Sequence, residues 1–228
     1  LAACAARAHD PQRHIVPENR VELSFGRSED YDYDPPEPGS YRLPALGPAA
    51  DGVLLDSRGR ETRLRQALAG HISVLAFIYT RCSDPKGCPL SMALLHDLDY
   101  VAQNDPAVGE ALRLVTVSFD PEHDTPEVMA DYASGLAGRG SAEDRWLFLT
   151  ARGPEALAPI LEAYGQPIGV KQDAEDPFGP FTHQLRVFLI DRDGQIRNIY
   201  SLGFLDPRLV ISDLRTLLLE EAKASQGM

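Results

Sequence analysis

The sequence predicts an α/β domain with a mixed central sheet, because apolar strand-like runs alternate with helical stripes along most of the chain. The 228 residues suit one domain with an extension, and 43% of them are hydrophobic, which is enough for a packed core. The last elements are a strand, a turn, a second strand and a helix. We therefore expect helices flanking the sheet, with a C-terminal β-hairpin and helix at its end.

The predicted strands are short apolar runs that are rich in β-branched and aromatic residues. Residues 72–79 and 112–119 form nearly continuous runs, which suits central strands covered on both faces. Residues 191–194, with the sequence Asp-Arg-Asp-Gly, are typical of a hairpin turn. The other predicted strands cover residues 53–56, 146–150, 185–190 and 195–200.

Helices are predicted where apolar residues recur every three or four positions. In the helix that follows Cys88, this stripe consists of Leu90, Leu94, Leu98 and Val101. Thr125 is suited to cap a second helix, with Pro126 at its first helical position. Two further helices are predicted at residues 153–164 and from about residue 206 to residue 221.

The charge of the chain excludes several classes of partner. The net charge of −12 argues against a nucleic-acid surface, which needs clustered lysine and arginine, and against a polybasic membrane surface. No apolar run approaches the roughly 20 residues that span a bilayer. We therefore expect no nucleic-acid partner, and membrane contact only through an N-terminal anchor.

The first four residues, Leu1-Ala2-Ala3-Cys4, are similar to a bacterial lipobox, in which the chain is cleaved before a cysteine that is then lipidated. The alternative is a chance Ala-Ala-Cys sequence. Because the chain begins with Leu, we expect that an export signal has been removed. This predicts a periplasmic protein, or one on the outer face of the cytoplasmic membrane, with Cys4 as the lipid anchor.

The chain divides into three parts by composition. Residues 1–44 contain the lipobox-like start and a predicted tether, whose stretch 28–39 is acidic and rich in proline. Residues 45–221 carry the alternating strand and helix pattern and form the predicted domain. Residues 222–228 are the expected C-terminal tail.

Two of the three cysteines lie on one short loop between a predicted strand and a predicted helix. Cys88 is placed at the N-cap of that helix, where partial positive charge favours a thiolate over a thiol. Two cysteines on one loop can form a disulfide bond or bind one metal ion, and thiolates select soft ions such as Cu(I) and zinc. Two thiolates leave a metal site open, so a third ligand is expected elsewhere.

Three blocks of sequence, in order and at similar spacing, resemble the Sco/SenC family over about residues 45–221. The blocks are Phe77-Ile78-Tyr79-Thr80-Arg81-Cys82 with Cys88-Pro89, then Asp120-Pro121-Glu122-His123-Asp124-Thr125-Pro126, and then Thr182-His183 before Phe188-Leu189-Ile190-Asp191. The resemblance implies a thioredoxin-like fold. It also implies copper handling outside the cytoplasm, most often for the binuclear copper site of cytochrome c oxidase.

Carried to this chain, the resemblance makes Cys82, Cys88 and His183 the copper ligands, with Cu(I) or Cu(II) as the metal. The family pattern has three residues between its cysteines, whereas five separate Cys82 from Cys88 here. The wider spacing changes the bite of a chelate, while a disulfide bond stays easy to form. Asp120 is a candidate acceptor that orients a ligand from outside the site, or alternatively part of an Asp-Pro turn.

Several functions remain open at this point. The first is a copper metallochaperone that serves a copper-accepting membrane-protein domain of the oxidase-subunit type, with a basic docking face. The second is a thiol–disulfide oxidoreductase without physiological copper, in which Cys82 attacks a redox partner and no cofactor is needed. A structural disulfide bond is the simplest alternative, and a thiol peroxidase that uses Thr80 and Arg81 is the remaining one.

Overall fold

The computed structural model describes residue 31 and residues 33–137, 144–173 and 176–226. Ten strands are described: β1 (Gly47–Pro48), β2 (Val53–Asp56), β3 (Glu61–Arg63), β4 (Ile72–Ile78), β5 (Leu112–Ser118), β6 (Trp146–Thr150), β7 (Ile168–Val170), β8 (Phe181–His183), β9 (Arg186–Ile190) and β10 (Gln195–Ser201). The α-helices are α1 (Leu64–Leu68), α2 (Cys88–Asn104), α3 (Pro106–Ala111), α4 (Pro126–Ala137), α5 (Pro154–Ala163) and α6 (Pro207–Gln226).

Eight of these strands form one mixed sheet in the order β1-β10-β9-β4-β5-β6-β2-β3. β4 pairs with β5, and β5 with β6, in parallel, while the strands on either side of these three are antiparallel. All seven residues of β4 are buried, as expected for a strand that is covered on both faces. The predicted mixed sheet, with its hairpin of β9 and β10 and its terminal helix, is confirmed.

β7 and β8 lie outside this sheet and pair only with each other among the described strands. These two strands were not predicted from the sequence, because each has only three residues and lacks a continuous apolar run. In their pairing, Ile168 lies opposite His183. This two-stranded ribbon therefore carries His183, the histidine that the family resemblance implies as a ligand.

The chain before residue 45 includes a segment, residues 33–43, that packs along α6. The Tyr41 hydroxyl donates to the carboxylate of Asp213 at 2.5 Å, and the Gly39 amide donates to Thr216 Oγ1 at 2.9 Å. Leu43 is buried in the core. The packed part of the chain thus starts well before the predicted boundary at residue 45, and α6 continues to Gln226 rather than ending at residue 221.

Most of the residues on which the membrane-related predictions rest are not described by the structure. Cys4 and most of the predicted tether lie outside the described residues. None of the described helices is both long and apolar enough to cross a lipid bilayer.

Candidate metal centre

The structure brings together the three side chains that the family resemblance implies as ligands. Cys82, Cys88 and His183 each present one donor atom, and these atoms all lie within 4.8 Å of one another. The Cys88 sulfur is 3.5 Å from His183 Nε2, although the two residues are 95 positions apart in the chain. Neither cysteine forms a disulfide bond in this structure.

The two cysteines occupy the loop that joins the end of β4 to the start of α2. A tight turn compacts the five residues between them, since the Gly87 amide donates to the Asp84 carbonyl at 2.9 Å. A second turn leads into Cys82, whose amide donates to the Tyr79 carbonyl at 3.2 Å. Gly87 packs closely on the site, since a Cβ atom there would lie 3.1 Å from Cys82 Sγ. The wider spacing is therefore absorbed by the loop, and both sulfurs still face one centre.

The negative charge of the cysteine pair belongs on Cys82. The pKa of its thiol falls to about 4, because the Cys88 thiol donates a hydrogen bond to it and because His183 and the backbone of the loop add further bonds. The pKa of Cys88 is raised, because its thiol is the donor in that bond and because it is only 2% exposed. The half-buried Cys82 is thus the thiolate.

This charge distribution corrects the expectation that the helix terminus makes Cys88 a thiolate. The N-cap of α2 is Gly87, and Cys88 is the first helical residue. Burial disfavours the charged form of a thiol, and two adjacent thiols do not readily carry two negative charges. The hydrogen bond and burial outweigh the favourable helix terminus, so the proton stays on Cys88.

His183 is oriented mainly by aromatic packing. Its ring centroid lies 4.8 Å from that of Phe119 and 6.4 Å from that of Tyr79. Nε2 faces Cys88, while Nδ1 is buried and has no hydrogen-bond partner among the described residues. The imidazole therefore presents one nitrogen to the two sulfurs, as a third ligand does.

Asp120 lies beside the site but is not hydrogen-bonded to a candidate ligand among the described contacts. Its carboxylate is 5% exposed and accepts from the Arg81 guanidinium at 2.7 Å. Its contact with the cysteine loop is therefore made through Arg81, the residue that precedes Cys82. Among the described contacts, Asp120 does not hydrogen-bond to His183, so it does not orient that ring directly.

Asp124, which belongs to the second block of the family resemblance, is a supporting residue of the site whose role was not predicted from the sequence. Its fully buried carboxylate accepts from the amide of Thr80 at 3.0 Å and from the hydroxyls of Thr80 and Ser118, each at 2.5 Å. It thereby ties the start of the cysteine loop to the end of β5. An acid in the loop that follows a buried strand was the signal that could have identified it.

Thr80 and Arg81, the residues considered for peroxidase chemistry, have other partners in this structure. The Thr80 hydroxyl donates to Asp124, and the Arg81 guanidinium forms its ion pair with Asp120. Neither interaction directs these groups to the Cys82 sulfur. The contacts thus give the peroxidase alternative no support.

Tyr79 lies at the end of β4, directly beneath the loop, and is 1% exposed. Burial raises the pKa of its hydroxyl, and the neighbouring Cys82 adds to the rise. The hydroxyl donates to the backbone carbonyl of Phe178 at 3.0 Å. Tyr79 is therefore in contact with both the cysteine loop and the segment that leads to His183.

The fold and the site together define a thioredoxin-like protein with a cysteine, cysteine and histidine group that suits a soft metal ion. The chain belongs to the SCO1/SenC family, whose model matches residues 51–219. A curated relative, the SCO1 protein homolog of Bacillus subtilis (strain 168), is 26% identical over 136 residues, which is 60% of this chain and 65% of that relative. The match thus spans slightly less than two thirds of the relative's length.

Solved structures of family members share the fold. The crystal structure of a SCO1/SenC family lipoprotein from Bacillus anthracis str. Ames has a TM-score of 0.64 and 20% identity, and the match covers 78% of this chain and 99% of that one. The crystal structure of Arabidopsis thaliana ScoI with copper bound has a TM-score of 0.61 and 18% identity, with 76% and 99% covered. At these identities the likeness establishes the fold alone. Any metal binding by this chain has to be argued from its own donor atoms.

Proposed function

We propose that this protein is a copper metallochaperone that holds its cargo through Cys82 Sγ, Cys88 Sγ and His183 Nε2. The observation that carries the proposal is the convergence of these three donor atoms within 4.8 Å. Two sulfurs and one imidazole nitrogen form a soft donor set, which copper, and Cu(I) in particular, prefers over hard oxygen ligands. The copper-bound state of the Arabidopsis relative is consistent with this choice of metal.

The proton balance of the site supports ligand function. One thiol, Cys82, is already a thiolate, so binding needs the release of the Cys88 proton alone. Protons and copper compete for the Cys88 sulfur, and affinity should therefore fall as the pH falls. The buried position of Cys88 limits its access to solvent, while the half-buried Cys82 gives an acceptor's ligand a route to the metal.

We further propose that the acceptor is a copper-binding domain of a membrane protein, of the cytochrome c oxidase subunit type, outside the cytoplasm. The net charge of −12 suits a basic docking face on that acceptor. Lipidation at Cys4 would keep residues 45–221, the predicted domain, at the outer face of the cytoplasmic membrane. The description of the Bacillus anthracis relative as a lipoprotein supports such an anchor, and mass spectrometry of Cys4 in the native protein tests it.

The test of the copper site is a Cu(I) competition titration of the reduced protein. Cys82→Ala and His183→Ala should each weaken Cu(I) binding, because each removes one donor atom. His123→Ala is the matched control, since His123 is an exposed histidine of a neighbouring loop. Equal affinity in the wild type and both site variants would refute the ligand set.

A second candidate function is thiol–disulfide exchange without copper. The split protonation of the cysteine pair supports it, because a half-buried thiolate next to a protonated buried thiol suits attack by Cys82 and resolution by Cys88. The reduction potential of the Cys82–Cys88 pair tests this function. A value below about −300 mV would mark a structural disulfide bond instead.

A further inference from the structure

Two hydroxyl groups link the cysteine loop (residues 80–88) and its base at Tyr79 to the His segment (residues 176–183). The Tyr79 hydroxyl donates to the Phe178 carbonyl at 3.0 Å, and the Ser83 hydroxyl donates to the Pro177 carbonyl at 2.5 Å. The two acceptors are consecutive carbonyls of the same turn. The two donors flank Cys82, so the bonds join the two parts of the chain that supply the ligands.

We propose that Tyr79 and Ser83 are positioning residues that dock the His segment on the cysteine loop and thereby govern how readily His183 leaves the metal. The inference rests on the proposed function, since it takes His183 to be a copper ligand. It adds to that function a control on copper release. Neither hydroxyl is a ligand. Ser83 acts through the backbone that carries the imidazole, and Tyr79 acts through the same backbone while it also hydrogen-bonds to Cys82.

The His segment depends on such contacts because it receives no strand pairing from the main sheet. Among the described strands, β8 pairs only with β7. Apart from the two hydroxyl bonds, the observed contacts to the domain are mainly aromatic, with the Phe181 ring 5.2 Å from Tyr79 and 6.0 Å from Phe119. Aromatic packing tolerates sliding, whereas hydrogen bonds fix position, so the hydroxyls determine where the segment sits.

The turn that receives the bonds is formed by its own contacts and can move as a unit. The Asp176 side chain accepts from the Phe178 amide at 2.8 Å and pairs with the Lys171 ammonium at 3.0 Å. The Gly179 amide donates to the Asp176 carbonyl at 2.9 Å. Loss of the hydroxyl bonds should therefore release an intact turn rather than unfold it.

Gly179 allows the turn to approach Tyr79. It has a φ of +94°, which L-residues with side chains rarely adopt, and a Cβ atom there would lie 2.4 Å from the Tyr79 hydroxyl oxygen. The closeness of this contact indicates that the backbone of the turn packs directly against the Tyr79 hydroxyl. The docked arrangement is thus built into the backbone as well as into the two side chains.

The experiment uses the full chain and the variants Ser83→Ala, Tyr79→Phe and the double variant. Ser134→Ala and Tyr164→Phe are matched controls, because each removes a hydroxyl that donates to a backbone carbonyl away from the His segment. Ser83→Thr, which keeps a hydroxyl, should restore wild-type behaviour. Ser83→Ala is the cleaner arm, since Tyr79 also neighbours Cys82.

The first readout needs no metal. Hydrogen exchange of the reduced, copper-free protein should accelerate within residues 176–183 by roughly three- to tenfold in each single variant, as expected for the loss of one hydrogen bond. The two control variants should leave this segment unchanged. Unchanged exchange in Ser83→Ala and Tyr79→Phe would overturn the inference.

The second readout is the rate at which Cu(I) passes to a chelator such as bathocuproine. Each hydroxyl variant should accelerate this transfer by roughly three- to tenfold in the wild-type background, and Ser83→Ala should have no effect in a His183→Ala background. Equal acceleration by Ser83→Ala in both backgrounds would also overturn the inference. If His183→Ala itself leaves the transfer rate unchanged, the proposed ligand set fails, whereas the exchange measurement still decides whether the hydroxyls dock the segment.

Discussion

The low pKa of Cys82 leads to a prediction about Cys88→Ala. The largest contribution to the Cys82 pKa of about 4 is the hydrogen bond from the Cys88 thiol. Removing that thiol takes away the donor but keeps His183 and the backbone bonds of the loop. The pKa of Cys82 should therefore rise towards the value of about 8.5 for a free cysteine, because burial of the sulfur then opposes the remaining hydrogen bonds.

The size of the effect follows from the thiolate fraction. With a pKa of about 4, roughly 90% of Cys82 is thiolate at pH 5. If the pKa rises to about 7, a value found in thioredoxin-type sites, the thiolate fraction at pH 5 falls to about 1%. A thiolate of higher pKa is more nucleophilic, by about 15- to 30-fold for three units, so the net loss of reactivity at pH 5 is roughly three- to sixfold. At pH 8 the same variant should react faster than the wild type.

The assay is alkylation of the reduced protein by iodoacetamide between pH 4 and pH 9, with the peptide that contains Cys82 quantified by mass spectrometry. The midpoint of the pH profile should move upward by two units or more in Cys88→Ala. In Cys82→Ala, the 2% exposed Cys88 should stay largely unmodified near neutral pH. Superimposable profiles for the wild type and Cys88→Ala would show that the thiol pair does not set the charge of Cys82.

Two further predictions concern the support of the site. Asp124→Ala should lower the free energy of unfolding by about 2–4 kcal/mol in urea titrations, because it leaves three hydrogen-bond donors without their acceptor. Glu122→Ala in the same loop should change the free energy of unfolding little. Equal values for the two variants would contradict this prediction. Gly179→Ala should weaken Cu(I) binding in the competition titration, because its Cβ atom collides with the Tyr79 hydroxyl. Gly194→Ala has the same backbone cost at a φ of +76° but meets no neighbour, so equal Cu(I) affinities in the two variants would argue against this contact.

The main strands could be predicted because their residues form nearly continuous apolar runs. β4 and β5 are such runs, and their burial in the middle of the sheet requires that composition. β7 and β8 could not be predicted in the same way. Each has three residues, and their pairing depends on a contact between Ile168 and His183 that no local pattern encodes.

The N-terminal boundary illustrates a limit of composition. Acidic and proline-rich residues predicted a tether as far as residue 44, yet residues 33–43 pack along α6. The packing depends on partners far along the chain, such as Asp213 for the Tyr41 hydroxyl. Proline and like charges favour an extended chain, but they do not indicate whether a hydrogen-bond acceptor such as Asp213, far along the sequence, will be close in the folded protein.

The sequence by itself determined the α/β class, the family resemblance and the residue types of the site, because a soft metal or a thiol exchange reaction requires sulfur and imidazole groups. The tertiary structure decided that Cys82, Cys88 and His183 meet despite the five-residue interval, since turns in the loop absorb the added length. It also decided that Cys82 carries the charge, because burial and hydrogen bonding act between groups that only folding brings together.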